Sequence, residues 1–237
     1  MSSNSCTYVP TPGQPESLHA IFRQLHAWRE QHQEPSSVQA NIAQRRTLVE
    51  NARPEDWVKA GDQVAPFEVE EVDGERLTLA ALLERGPLVL VFFRFAGCPA
   101  CNLALPYYQR NLLPGLRERG ATLLALSPQL PERLVDIKRR HRLEFFVATD
   151  RDNALGQRFG ILYAPDEAAR QAAQARGHFI GDVTGTGTWE LPQPTAVVIG
   201  IDGTVHFADV HPDWLLRTEA DTILAAVDAL PVQEHHA

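Results

Sequence analysis

Cysteine is scarce in this chain, with three in 237 residues, too few for the disulfide framework that small secreted domains rely on. Long apolar runs are missing too. The first twenty or so residues lack the apolar core of a secretory signal, and no stretch of about eighteen apolar residues occurs, so neither a signal peptide nor a membrane span is read. Positive charge is in deficit: 22 Lys and Arg stand against 30 Asp and Glu, a net charge of -8. Nucleic acid is thereby excluded as a partner unless a local basic patch exists. The one basic run, Arg139-Arg140-His141-Arg142, lies between Asp136 and Glu144 and reads as the solvated end of a helix. These absences point to a reducing, cytoplasmic compartment, where a close cysteine pair is catalytic or metal-binding rather than a structural staple.

What is present is a core-forming composition, 44% hydrophobic, sufficient for one large domain or a domain with an extension. The chain centres on residues 87–102, PLVLVFFRFAGCPACN. Residues 88–95 are apolar except for Arg94, the pattern of a strand buried on both faces of a parallel sheet. Gly97 supplies a turn, and Pro99 suits a first helical position. Cys98 then falls at a helix N-terminus, where unpaired N–H groups and the positive end of the helix dipole favour a thiolate. Cys101 follows one turn on, close enough for a disulfide if the turn holds the two Cα atoms within about 6 Å. A structural zinc site would need a second ligand pair, and the only other cysteine is Cys6.

Taken in order, residues 1–15 form a proline-rich leader containing Cys6. Leu18, Ile21, Phe22, Leu25 and Trp28 mark an amphipathic helix, and a second helix is expected over 38–49. These helices of the 16–60 extension either cover the main domain or form a homodimer face. From 61 to 230, strands at 64–69, 88–95, 121–127 and 145–149 alternate with helices at 77–83, 131–141 and 152–159. Pro106 and Pro114 are expected to kink or break the helix after the cysteines. Residues 164–188 read as an insertion, Ala-rich and helical at first. Its GDVTGTGTWE stretch lacks the glycine pattern and leading strand of a phosphate loop, and reads as a surface loop. A hairpin over 195–208 with an Asp202-Gly203 turn, a helix over 218–230 and a tail at 231–237 complete the chain.

With these elements in place, residues 61–230 resemble the peroxiredoxin-like branch of the AhpC/TSA family, on a thioredoxin-like α/β fold with a central mixed sheet flanked by helices. The resemblance rests on Arg94, Gly97, Cys98, Pro99, Cys101 and Asn102, on ALSPQ at 125–129, and on the Asp150-to-Gly160 run. WELP at 189–192 and the IDGT turn extend it. It implies that Cys98 attacks a peroxide or disulfide, that Cys101 resolves the product, and that an external thiol of thioredoxin type or low molecular weight restores the pair. No prosthetic group is implied. It also implies that Arg94 favours the Cys98 thiolate, and that Pro194 is preceded by a cis bond that frees the backbone beside Thr195 to dock a substrate. In typical peroxiredoxins a proline lies seven residues, and a Thr or Ser three residues, before the reactive cysteine; here Val91 and Phe95 stand there. Two other classes stay open: copper carriage by the cysteine pair with His178, His206 or His211, and a redox-silent interaction module using the N-terminal helices.

Overall fold

The computed structural model describes residues 15–175 and 177–231; Cys6, most of the leader and the tail lie outside them. Two helices open the chain, α1 (Leu18–His32) and α2 (Pro35–Glu50). A hairpin follows, β1 (Glu68–Glu71) and β2 (Arg76–Thr78), turning at Asp73-Gly74 with Gly74 at φ +91. Thr78 caps α3 (Leu79–Leu83), its hydroxyl accepting from the Ala81 N–H at 3.2 Å. The central strand β3 (Leu88–Phe92) leads through a turn to α4 (Cys101–Asn111) and α5 (Leu113–Glu118). The expected strand over 88–95 therefore ends three residues early: after Phe92 the backbone leaves the ladder to form the cysteine turn. The helix bearing Pro106 runs on to Asn111, and the break falls at Leu112, just before Pro114.

Strand–helix alternation continues with β4 (Thr122–Ser127), α6 (Pro131–His141), β5 (Phe146–Thr149), α7 (Ala154–Arg158) and the short β6 (Leu162–Tyr163). In the insertion, α8 (Glu167–Gln174) is joined by a second helix, α9 (Ile180–Thr184), where sequence suggested a plain surface loop. Gly181 and Thr184 of α9 are buried. The helix forms because its backbone has partners: the Val183 carbonyl accepts from Gln129 Nε2 at 3.1 Å and Leu130 N–H donates to the Thr184 carbonyl at 3.2 Å. β7 (Leu191–Pro192) pairs with β6, and β8 (Thr195–Ile199), β9 (Val205–Val210) and α10 (Ala220–Asp228) end the described chain.

The main sheet has the order β2-β1-β5-β4-β3-β8-β9, parallel at its centre and antiparallel towards both edges. Alternation along β3 divides its side chains between two cores. Leu88, Leu90 and Phe92 face α3 and α7; Val89 and Val91 face a larger core that holds both cysteines and residues of α4, α5, α6 and α10. This burial on both faces explains the uninterrupted apolar run in the sequence.

Of the two alternatives left open for the N-terminal helices, covering the main domain is what the packing shows for α1. Its Leu18, Ile21, Phe22 and Leu25 belong to the larger core. Its first turn is held from the far end of the chain: the Glu219 carboxylate accepts from the N–H groups of Leu18 (3.0 Å) and His19 (2.9 Å) and from the Tyr107 hydroxyl (2.8 Å). An anionic side chain at a helix N-terminus is favoured by the dipole as well. The second helix is held more loosely, by Val38, by Leu48 and by a bidentate Arg45–Asp213 pair at 2.6 and 2.7 Å. No helix among the described residues is long and apolar enough to cross a membrane.

Glu219→Ala leaves two helix N–H groups and a tyrosine hydroxyl without their acceptor. It is expected to lower the unfolding free energy in urea by about 1–3 kcal/mol; a change within about 0.5 kcal/mol would show that Glu219 does not anchor α1.

Candidate active site

The cysteine turn is fixed by side chains from three other elements. Ser127, at the end of β4, donates through Oγ to the Arg94 carbonyl (3.0 Å), and Gln129 Oε1 accepts from the Ala96 N–H (2.8 Å). Asn102, in the first turn of α4, donates through Nδ2 to the carbonyls of Ala96 (2.7 Å) and Cys98 (2.9 Å). Its Oδ1 accepts from Arg140 Nη1 at 3.0 Å and lies 2.8 Å from His141 Nε2, which must carry the proton because Oδ1 can only accept. Burial, with Arg140 and Arg110 nearby, lowers the His141 pKa and favours the neutral ring. The basic run at 139–142 is the solvated end of a helix, as its sequence suggests, and two of its residues also brace the turn.

Pro99 does not open the helix. It sits in the turn before it, and regular α-helix begins at Cys101. The Cys98 carbonyl accepts from the Asn102 N–H at 3.0 Å, so the turn carrying Cys98 runs directly into the helix that Ala100 precedes. Gly97 is not forced by backbone conformation, since its φ is not positive; a Cβ there would rest in ordinary contact with the Phe95 ring at 3.6 Å.

Both sulfurs are fully buried, at 0% exposure. Arg94 reaches Cys98 Sγ with Nη2 at 3.3 Å and the Tyr163 hydroxyl with Nη1 at 3.1 Å. Burial alone would push the Cys98 thiol up. A hydrogen bond from Cys101 and the charges of Arg94 and Arg217 outweigh it and hold Cys98 well below the ordinary thiol range. Cys101 moves the other way, pushed well above that range by burial and by donating to Cys98. The pair therefore divides into one thiolate and one thiol.

Arginines from distant parts of the chain meet around one buried ring. The Trp214 ring is approached by the guanidinium carbons of Arg94 (4.7 Å), Arg29 (5.2 Å) and Arg45 (5.8 Å). Arg217 shares a cavity of about 10 Å³ with Cys101, Pro194 and Thr195. Tyr163, Trp214 and Arg217 were all missed in the sequence. Each stands far from the cysteines along the chain, and no local spacing marks it.

Pro194 and Thr195 do lie beside Cys101, but the cis bond expected before Pro194 is absent: among the described residues every peptide bond is trans. Gln193 N–H donates to the Ile161 carbonyl at 2.8 Å, and the Pro194 carbonyl accepts from His211 N–H at 2.9 Å. These bonds carry the chain in extended form from β7 into β8, a path the ordinary trans isomer follows. Thr195 is paired with Phe92 on one side and Val210 on the other, and its hydroxyl bonds to the Gln193 carbonyl, so it offers no free strand edge. Among the described residues no group of three or more His, Cys, Asp and Glu side chains is placed to hold a metal ion, which leaves the copper reading without a ligand set.

The profile of the AhpC/TSA family matches residues 60–208. The chain belongs to that family. Peroxiredoxin Bcp of Escherichia coli (strain K12) is 30% identical over 110 residues, 44% of this chain and 65% of that protein. The thiol-disulfide oxidoreductase ResA of Halalkalibacterium halodurans is 30% identical over 113 residues, 45% of this chain and 60% of that protein. The chain thus spans somewhat less than two thirds of the length of these relatives. The crystal structure of peroxidoxin BcpB from Mycobacterium tuberculosis superposes with a TM-score of 0.57 at 22% identity, covering 74% of this chain and 99% of that one, and shares the fold.

In a Cys6→Ser background, ultraviolet thiolate absorbance is expected to show Cys98 ionised through the ordinary thiol range near pH 8.5 and protonating only at lower pH, with Cys101 still a thiol. The stability contributed by ionised Cys98 is full above the unfolded thiol pKa and is lost as pH falls through the lowered folded value. Arg94→Gln should move the step upward; a step that does not move would remove Arg94 from the account.

Proposed function

We propose that this chain is a thiol-dependent oxidoreductase that reduces peroxides or disulfides through a Cys98–Cys101 dithiol/disulfide cycle. The observation that carries the proposal is the Arg94 guanidinium 3.3 Å from Cys98 Sγ, with Cys101 on the other side as the hydrogen-bond donor. The thiolate, which this lowered pKa favours, is the reactive form of cysteine. With a peroxide, Cys98 attacks one oxygen, the O–O bond breaks, the leaving oxygen takes a proton, and Cys98 becomes a sulfenic acid. Cys101 then attacks that sulfur as its own proton is removed, water leaves, and the disulfide forms. With a disulfide, Cys98 forms a mixed disulfide and Cys101 displaces the second thiol. An external thiol returns the pair to its reduced state, which suits a reducing cytoplasm. Arg94 serves as the electrostatic partner of Cys98. Gly97 and Pro99 shape the turn, and Pro194 with Thr195 lines the side of the site nearest Cys101.

A specific observation favours the disulfide branch as a second reading. The position from which a hydroxyl would hold both thiolate and peroxide is Phe95, which has nothing to donate.

The test mixes reduced protein with hydrogen peroxide or with a model disulfide and follows thiol loss. Two thiols per chain beyond Cys6 should be lost together, Cys98→Ser should abolish the loss, and Cys101→Ser should leave Cys98 as a trapped sulfenic acid or mixed disulfide. Fast loss with peroxide selects the peroxidase. Fast loss with the disulfide alone selects the disulfide oxidoreductase. Loss that persists in Cys98→Ser would sink both.

A further inference from the structure

The buried sulfurs raise the question of how any reductant reaches them, and the N-terminal extension supplies an answer. A cleft of about 490 Å³ lies between α2 with its following turn and the segment from Gly160 to Arg170. That volume suits a small organic molecule. Part of its wall is built by α2, outside the region that matches the family. Tyr163 lines the cleft, and its hydroxyl is the one bonded to Arg94, whose other nitrogen holds Cys98. The cleft is therefore separated from the thiolate by one tyrosine side chain and one guanidinium.

The lining has a definite chemistry. Gln193 is 7% exposed and its Oε1 is buried with no hydrogen-bond partner, an acceptor waiting for an N–H donor. At the outer part stand Arg53, which has no carboxylate partner among the described residues, and Arg170, whose Nε donates to the Pro165 carbonyl at 2.7 Å. Asp56 and Asp166 lie among them, the latter also capping α8 through the Ala169 N–H. Leu48 and Trp57 add apolar surface. A ligand that satisfies this set carries an ionised carboxylate, an ammonium and an amide N–H on a body of a few residues.

We infer that the cleft binds a short zwitterionic peptide thiol, the reductant of the Cys98–Cys101 disulfide, and that Tyr163 is the inner gate it displaces from Arg94. The inference rests on the dithiol cycle proposed above. The ligand thiolate attacks the Cys98 sulfur, the Cys98–Cys101 bond breaks, a ligand–Cys98 disulfide forms, and Cys101 leaves with the electron pair and takes a proton. A second ligand thiolate attacks the ligand sulfur, releasing Cys98 as thiolate and the ligand as its disulfide. Two thiols are oxidised and one disulfide is reduced.

Glutathione is the probe, and uncharged dithiothreitol the reference, each mixed with the full chain after oxidation of the pair. Glutathione should give a saturable rate that S-methylglutathione, which cannot exchange, competes away. Arg53→Glu should lower the ratio of glutathione to dithiothreitol rates roughly tenfold. Arg46→Glu, on α2 but outside the cleft lining, should leave that ratio unchanged. A ratio unchanged in Arg53→Glu, an unsaturable rate, or faster reduction by a thioredoxin-type protein than by glutathione would overturn the cleft while leaving the dithiol cycle standing. Oxidised protein that dithiothreitol also fails to reduce would overturn the cycle, and this inference with it.

Discussion

The site turns on one buried charge interaction: a guanidinium that faces a sulfur and a phenol at once. Burial by itself opposes ionisation of Cys98, so a thiolate persists in the core only because Arg94 and Arg217 supply positive charge and Cys101 supplies a hydrogen bond. Buried charges of this kind are tolerated when paired and hydrogen-bonded, and become costly when one partner is removed. Much of the surrounding structure keeps that pairing in register. Ser127 and Gln129 hold the backbone on either side of Phe95, Asn102 holds the far side of the turn, and Trp214 lies against the guanidinium.

The fold was legible wherever a local pattern determined it. The apolar run of β3, the Asp202-Gly203 turn and the stripe from Leu18 to Leu25 each encode an element through neighbours a few residues apart. The cysteine pair was legible for the same reason, being contiguous with a strand and a turn. Arg94 could be named because it is four residues from Cys98. Tyr163 and Arg217 could not, because the sheet topology and the β6–β7 pairing bring them in from other parts of the chain. The positive charge at the thiolate was only half visible: Arg94 is local to Cys98, whereas Arg217 comes in from a distant part of the chain.

The misreadings share a cause. The stretch at 181–190 reads as a loop, and 185–190 is one, but contacts with Gln129 and Leu130 draw its first four residues into α9. The proline before Thr195 was assigned its isomer by likeness to other thioredoxin-like proteins, whereas the hydrogen bonds of Gln193 and Pro194 define an extended path here. In each case a tertiary contact decided among options that local chemistry left open.

The complete enclosure of Cys98 has a kinetic meaning apart from its electrostatics. A sulfur with no exposed surface collides with no reagent until the protein opens around it. The rate of reaction then has a ceiling set by how often the site opens, and raising the reagent concentration beyond that point gains nothing. The same enclosure acts as a filter in time, because a second oxidant molecule must await a second opening while Cys101 is already in hydrogen-bonding contact.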